Sequence, residues 1–260
     1  MKTQHLSPVQ TPPKDSTNPM ATYTGIIEKT YTFENPEITT WTRKFSDHVI
    51  ARSIFSDFEK SCPISFERAC VVGTLWNHFS AFMPWFLCQA AAKMSTNEKR
   101  HYVIQTAFEE LGMRDVREIH ADMFWKAALK TGLTHERAEE TSKIPGSSRP
   151  LDALRASLLS YNTDEEVLGI LLGLEIPARE NVETLFQSLA HTPALEEELS
   201  LDQFFSLHRQ IEIEHVRLTV SNFVRFCKTP EQKERFLIGF RAGLDFWQAF
   251  WGTSARICNG

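Results

Sequence analysis

The stretch His208-Arg-Gln-Ile-Glu212-Ile-Glu-His215 sits in the middle of a long segment of helical pattern, and the rest of the chain is read outward from it. Each residue of an α-helix turns by about 100°, so positions i, i+4 and i+7 fall within an arc of roughly 60°. His208, Glu212 and His215 therefore project together and offer two imidazoles and a carboxylate to one point. That donor set suits iron, manganese or zinc. Glu214 turns away from this face and reads as solvated. The face is otherwise uncharged, carrying Phe204, Phe205, Ile211, Thr219 and Asn222. A histidine and a carboxylate on an apolar face need a partner, because burying them unpaired is costly. The plainer alternative is a helix surface that happens to carry these residues. The choice turns on whether other helices supply matching ligands.

Nearly every segment after residue 36 repeats with a period near 3.6, and alternating strand patterns are scarce. The pattern predicts helices over about 36–60, 64–94, 97–111, 114–131, 134–142, 150–160, 163–190 and 201–227, and a last one from Thr229-Pro230-Glu231 onward. Pro84 is a candidate kink in the second and Pro177 a bend in the seventh. Gly112 and Gly132 are stops, and Ser95-Thr96-Asn97-Glu98 and Thr163-Asp164-Glu165-Glu166 are starts. Residues 191–200 read as a link. The expected architecture is all-α, a single helical bundle.

Composition narrows the setting. The chain has 260 residues, 42% of them hydrophobic, with a net charge of −5, which argues against nucleic acid as a partner. Cys62, Cys70, Cys88, Cys227 and Cys258 show no CxxC and no framework spacing, and Cys70, Cys88 and Cys227 lie in apolar helical runs. They read as reduced, buried thiols of a cytoplasmic protein. Residues 1–24 hold four prolines and no apolar core of a signal peptide, so they read as a disordered tail ahead of a helical domain over 25–260. Ala69 to Ala92 contains no Asp, Glu, Lys or Arg and is long enough to span a membrane. It also carries Asn77, His78, Ser80, Pro84 and Gln89, and reads as a core helix packed on all sides, with no membrane partner.

Three further residues are candidates to complete the ligand set. Glu110 ends a helix in Phe-Glu-Glu-Leu-Gly, an unfavourable place for a carboxylate at the negative end of the helix dipole. His120 lies one turn into the next helix. Glu175 closes the apolar run Val-Leu-Gly-Ile-Leu-Leu-Gly-Leu and wants a compensating cation. Ordinary readings compete: an exposed terminal Glu for Glu110, a satisfied core histidine for His120, and for Glu175 an ion pair with Arg179 at i+4.

In this order, Glu110, His120, Glu175, His208, Glu212 and His215 resemble the pattern of the haem-oxygenase-like di-metal oxidases and oxygenases. That pattern is a Glu, a His ten residues on, a Glu some 55 residues later, then His-x3-Asp/Glu-x2-His. The stretch from His120 to Trp125 and the Trp-x-x-Phe-Trp ending at Trp251 are also similar, and the resemblance spans about residues 36–257. Glu212 departs from the commoner Asp. The resemblance implies a single seven- to eight-helix, haem-oxygenase-like bundle without haem, related to the TenA/PqqC-like proteins. It implies two Fe(II)/Fe(III) ions at these six residues, with manganese an alternative metal and O2 as cosubstrate. One metal would take Glu110, His120 and His215 and the other Glu175, His208 and Glu212. The reaction implied is biosynthetic oxidation of a small molecule: an amino acid, an amine or a fatty-acid-like compound, by N-oxygenation or oxidative C–C cleavage. A homodimer is common for the fold. The branch that consumes its own tyrosine is discounted, because Leu174 precedes Glu175 where that branch has Tyr.

Phe204, Phe205, Phe124, Trp76, Phe79, Phe82 and Trp85 are candidates to line an apolar pocket, and core packing is the alternative for each. Arg179 is a candidate anchor for a substrate carboxylate, or a partner of Glu183. His78 is a candidate proton donor, or a satisfied core histidine. Two other classes stay open: a metal-independent TenA/PqqC-like enzyme of the same shape, and a non-catalytic helical interaction protein.

Overall fold

The computed structural model describes residues 32–48 and 53–260. The predicted tail, residues 1–24, lies outside them. Among the described residues there are twelve α-helices and no strand. They are α1 (Pro36–Ser46), α2 (Ser56–Ser61), α3 (Phe66–Lys93), α4 (Asn97–Glu110), α5 (His120–Lys130), α6 (His135–Ser142), α7 (Arg149–Ser160), α8 (Asp164–Glu175), α9 (Ala178–Leu189), α10 (Pro193–Ser200), α11 (Gln203–Phe226) and α12 (Pro230–Cys258). The excess over the expected seven to eight comes from short pieces and from divisions in what read as single helices. The architecture is the all-α bundle that the residue pattern predicted.

The uncharged stretch is the central helix. Sixteen residues of α3 are buried, and the helix runs unbroken through Pro84. No helix of the described residues is long and apolar enough to cross a membrane. Cys70 and Cys227 are buried as expected, but Cys88 is exposed.

Helix starts follow side-chain chemistry. Ser65, Thr96, Thr134, Thr163, Thr192 and Thr229 each accept a backbone N–H of the first turn, which offsets donors the helix itself leaves unpaired. Thr163 with Glu166, and Thr229 with Gln232, close full capping boxes.

Four boundaries differ from expectation. The first helix stops at Ser46 and helix resumes as α2. The 191–200 link is in fact helix α10, started by Thr192 with Pro193 and Glu196 in its first turn. The segment from Arg114 does not open as a helix. Gly112 and Met113 take positive φ, a short 3-10 turn spans Val116–Glu118, and α5 begins only at His120. A Cβ on Gly112 would lie 2.4 Å from the Asp115 carbonyl oxygen, so this reversal needs glycine. Pro177 ends the 163–190 segment rather than bending it: α8 closes at Glu175, Ile176 caps it, and Pro177 precedes α9.

α8 and α12 meet backbone to backbone. Gly169 and Gly173 face Gly239 and Gly243, and a Cβ on Gly239 would lie 1.9 Å from the Glu166 carbonyl oxygen. Trp247 of α12 donates its indole N–H to the Leu174 carbonyl at 2.9 Å, and Trp251 donates to Asn181 Oδ1 at 2.7 Å. Together these contacts fix the end of α8, where Glu175 sits. The start of α11 is held by Asp202, which accepts the Phe204 N–H at 2.9 Å and pairs with Lys130 of α5 at 2.7 Å.

Candidate metal centre

One pocket in the bundle receives all six predicted ligands: Glu110, His120, Glu175, His208, Glu212 and His215. They arrive from the end of α4, the start of α5, the end of α8 and the middle of α11. His120 is therefore the first residue of its helix, not one turn into it. The walls between them are Trp76, Phe79, Met83, Leu174, Val182, Phe204 and Trp247, with Ser80 and Ala178.

The side chains fall into two groups. Glu175, Glu212 and His215 each offer a ligand atom within 4.8 Å of the others. His215 Nδ1 stands 3.6 Å from Glu175 Oε2 and 3.9 Å from Glu212 Oε2. In the second group His120 Nδ1 lies 3.3 Å from Glu110 Oε2, and the His120 and His208 rings are 4.7 Å apart by centroid. The grouping differs from the division drawn from the resemblance by exchanging His208 and His215. The reason is the seven-residue separation: the two imidazoles sit two turns apart along α11, so each meets a different end of the pocket.

Hydrogen bonds set which nitrogen each imidazole presents. His208 Nδ1 lies 2.8 Å from the Phe204 carbonyl, a bond that leaves Nε2 for the pocket. His215 Nε2 lies 3.0 Å from Glu109 Oε2, which leaves Nδ1 toward Glu175 and Glu212. His120 Nδ1 is buried without a hydrogen-bond partner; its approach to Glu110 is close but lacks hydrogen-bond geometry. A buried nitrogen and carboxylate that meet without good hydrogen-bond geometry are incompletely satisfied, and a shared ion would complete both.

The electrostatics point the same way. Burial, reinforced by His120, pushes the His208 imidazole down to about 4. Burial pushes the Glu212 carboxyl well up, with Glu175 and Glu110 adding repulsion against the opposing pull of His215. His215 is raised well above the usual histidine range: burial opposes this, but the bonds to Glu109 and Glu175 outweigh it. Glu110 is lowered because His120, His208 and His215 outweigh its burial. Three carboxylates and three imidazoles thus share one pocket with no Lys or Arg among its lining residues. Glu110 and Glu175 each close a helix, where the dipole adds further negative potential. The donor chemistry and the lack of any Lys or Arg among the lining residues fit bound cations.

The other predicted pocket residues divide. Phe204, Trp76 and Phe79 line the pocket. Phe124 and Phe205 do not; both are fully buried and pack behind Phe204, at 5.1 and 5.3 Å. Phe82 and Trp85 lie under the Arg155 guanidinium and outside the lining. His78 is outside the lining and meets Ser142 Oγ at 3.0 Å. Arg179 is also outside it, and Glu183 pairs with Arg209 at 3.4 Å. Glu214 is exposed and pairs with Arg217, away from the site. Two site residues were missed from sequence. Glu109 is the first; its signal was a second carboxylate in the last turn of α4. Ser80 is the second, and a lone serine in an apolar helix carries little signal.

An all-helical haem-oxygenase-like bundle that gathers six His and Glu side chains in an apolar pocket defines the class. A family described as iron-containing redox enzymes matches residues 75–248, and the chain belongs to that family. Among solved structures, a CADD-like protein of unknown function from Nostoc punctiforme is 18% identical, with a TM-score of 0.62 over 92% of this chain and 96% of that one. A TenA family transcription regulator from Silicibacter is 10% identical, with a TM-score of 0.53 over 90% of this chain and 96% of the other. At these identities the likeness is one of fold. No curated protein matches the chain.

Proposed function

We propose that the protein is an O2-dependent non-haem di-iron oxidase or oxygenase acting on a small molecule in a biosynthetic pathway. The observation that carries this reading is the convergence of the six donors on one pocket, where the nearest partner of the buried His120 Nδ1 is another predicted ligand, Glu110 Oε2 at 3.3 Å. Glu175, Glu212 and His215 would hold one ion and Glu110, His120 and His208 the other. Fe(II) ions held there would supply the electrons that activate O2, and O2 is the oxidant. The chain's own residues do the rest. Trp76, Phe79, Phe204 and Trp247 exclude water from the reacting end of the substrate. The Phe204 carbonyl and Glu109 hold His208 and His215 in fixed orientations, which lowers the cost of ordering ligands on binding.

The substrate class is an amino acid, an amine or a fatty-acid-like compound, undergoing N-oxygenation or oxidative C–C cleavage. The pocket's hydrocarbon and aromatic walls support an apolar body on that substrate. As part of the same reading the enzyme is cytoplasmic and works without nucleic acid or membrane, as a homodimer. A thiol-dependent reaction of the same fold is disfavoured, because no cysteine is among the residues lining the pocket.

The test is an anaerobic Fe(II) titration of the purified chain, expected to saturate at about two irons. Exposure of the loaded protein to O2 should then change its visible spectrum. His208→Ala and His215→Ala should each lose iron while keeping the wild-type circular dichroism. A folded wild-type chain that takes up no iron would sink the proposal.

A further inference from the structure

Glu109 is assigned no part in the six-residue ligand set, yet its carboxylate makes a closer contact with His215 than any other carboxylate does. Its Oε2 lies 3.0 Å from His215 Nε2, whereas Glu175 and Glu212 stand 3.6 and 3.9 Å from Nδ1 on the opposite edge of the ring. Glu109 and Glu110 are consecutive at the end of α4, so their side chains diverge by about 100°. Glu110 turns to His120 and Glu109 to His215. α4 thus reaches both groups of the pocket from a single turn, although Glu109 itself is outside the lining.

We infer that Glu109 is a positioning residue that acts through His215. By accepting the Nε2 proton it fixes the tautomer whose Nδ1 lone pair faces Glu175 and Glu212. A carboxylate behind an imidazole also makes that imidazole a stronger donor. His208 is held the other way round, with its Nδ1 on the Phe204 carbonyl, so its Nε2 is the donor. The two groups would therefore bind through different imidazole nitrogens. The carboxylate-backed one, at Glu175, Glu212 and His215, would depend on Glu109 and the other would not. The inference rests on the proposed metal centre.

The test is anaerobic Co(II) titration followed by visible absorption, on wild type, Glu109→Ala and Glu109→Gln. Glutamine keeps an oxygen that can accept the Nε2 proton, but it is a poor metal ligand. Glu109→Ala should weaken one of the two cobalt equivalents by roughly 10- to 100-fold and alter its absorption band, leaving the other in place. Glu109→Gln should bind within a few-fold of wild type. Melting curves establish that each variant is folded; should the alanine variant not fold, Glu109→Ser takes its place. Wild-type binding in the alanine variant overturns the inference. So does a glutamine variant as weak as the alanine one, since Glu109 would then be a ligand itself. A wild-type chain that binds no cobalt overturns the metal centre beneath it, an outcome separate from these two.

Discussion

Trp247 donates its indole N–H to the carbonyl of Leu174, the residue immediately before Glu175, while its ring forms part of the pocket wall. One side chain thus sets both the shape of the cavity and the position of a carboxylate in it. Trp247→Phe keeps most of the ring volume but leaves the Leu174 carbonyl unsatisfied in the core. The expected cost is about 1–3 kcal/mol in chemical denaturation. Iron affinity should fall with it, because the end of α8 is no longer fixed. Unchanged stability would show that the bond contributes nothing.

The glycine contact between α8 and α12 is expected to be intolerant. A Cβ on Gly169 would lie 2.0 Å from the Phe236 carbonyl oxygen, and one on Gly173 would lie 2.2 Å from that of Phe240. The opposing atoms are backbone, so only separation of the helices makes room. Gly169→Ala should cost about 3 kcal/mol or more despite the better helix propensity of alanine. Gly252, which has nothing within 4 Å of an added Cβ, is the control. Gly252→Ala should be neutral or slightly stabilising in the same melts.

Glu212 sits on the opposite side of the balance between stability and function. It is buried against Glu175 and Glu110, and its carboxyl is pushed upward for that reason. In the metal-free protein at neutral pH Glu212→Gln should melt close to the wild-type temperature, because a carboxyl pushed up to about 8 is already largely uncharged there and glutamine keeps its shape. The same variant should lose iron. A clear drop in the metal-free melting temperature would contradict this account of the cluster.

Asp164 gives the pH dependence a definite sign. Its carboxylate takes bonds from the Ser95 N–H at 2.8 Å and from Lys99 at 2.6 Å, tying the start of α8 to the start of α4. Burial opposes ionisation, but these bonds outweigh it and hold the group below its usual range. A depressed carboxyl contributes stability that is present above the unfolded value, near pH 4, and lost as pH falls through the folded one. Asp164→Asn should cost about 2 kcal/mol at pH 7. The gap between variant and wild type should shrink below about pH 4 in acid denaturation. A gap that stays constant to pH 2 would refute the ionic account.

How much of this was legible in the sequence depends on how local each cause is. The i, i+4, i+7 spacing of His208, Glu212 and His215 put three donors on one face, because helical geometry alone sets that face. The all-α class followed from periodicity. The start of α10 is equally legible: Thr192-Pro193 with Glu196 uses the same chemistry as Thr229-Pro230-Glu231. Gly112 was read as a stop, but not the turn it builds with Met113, which delays α5 until His120.

Sequence by itself determined the helices, the donor residues and their order, since propensity, capping and the 3.6-residue repeat act within a few positions of each residue. Only the tertiary structure decided which donors meet. His208 joins His120 and His215 joins Glu175, because their partners arrive from other helices through a reversal at Gly112 and a glycine contact between α8 and α12. It alone showed Glu109 behind His215, and Phe124 and Phe205 behind the wall rather than on it. Depth in a packed core depends on every neighbour at once, and no local spacing encodes it.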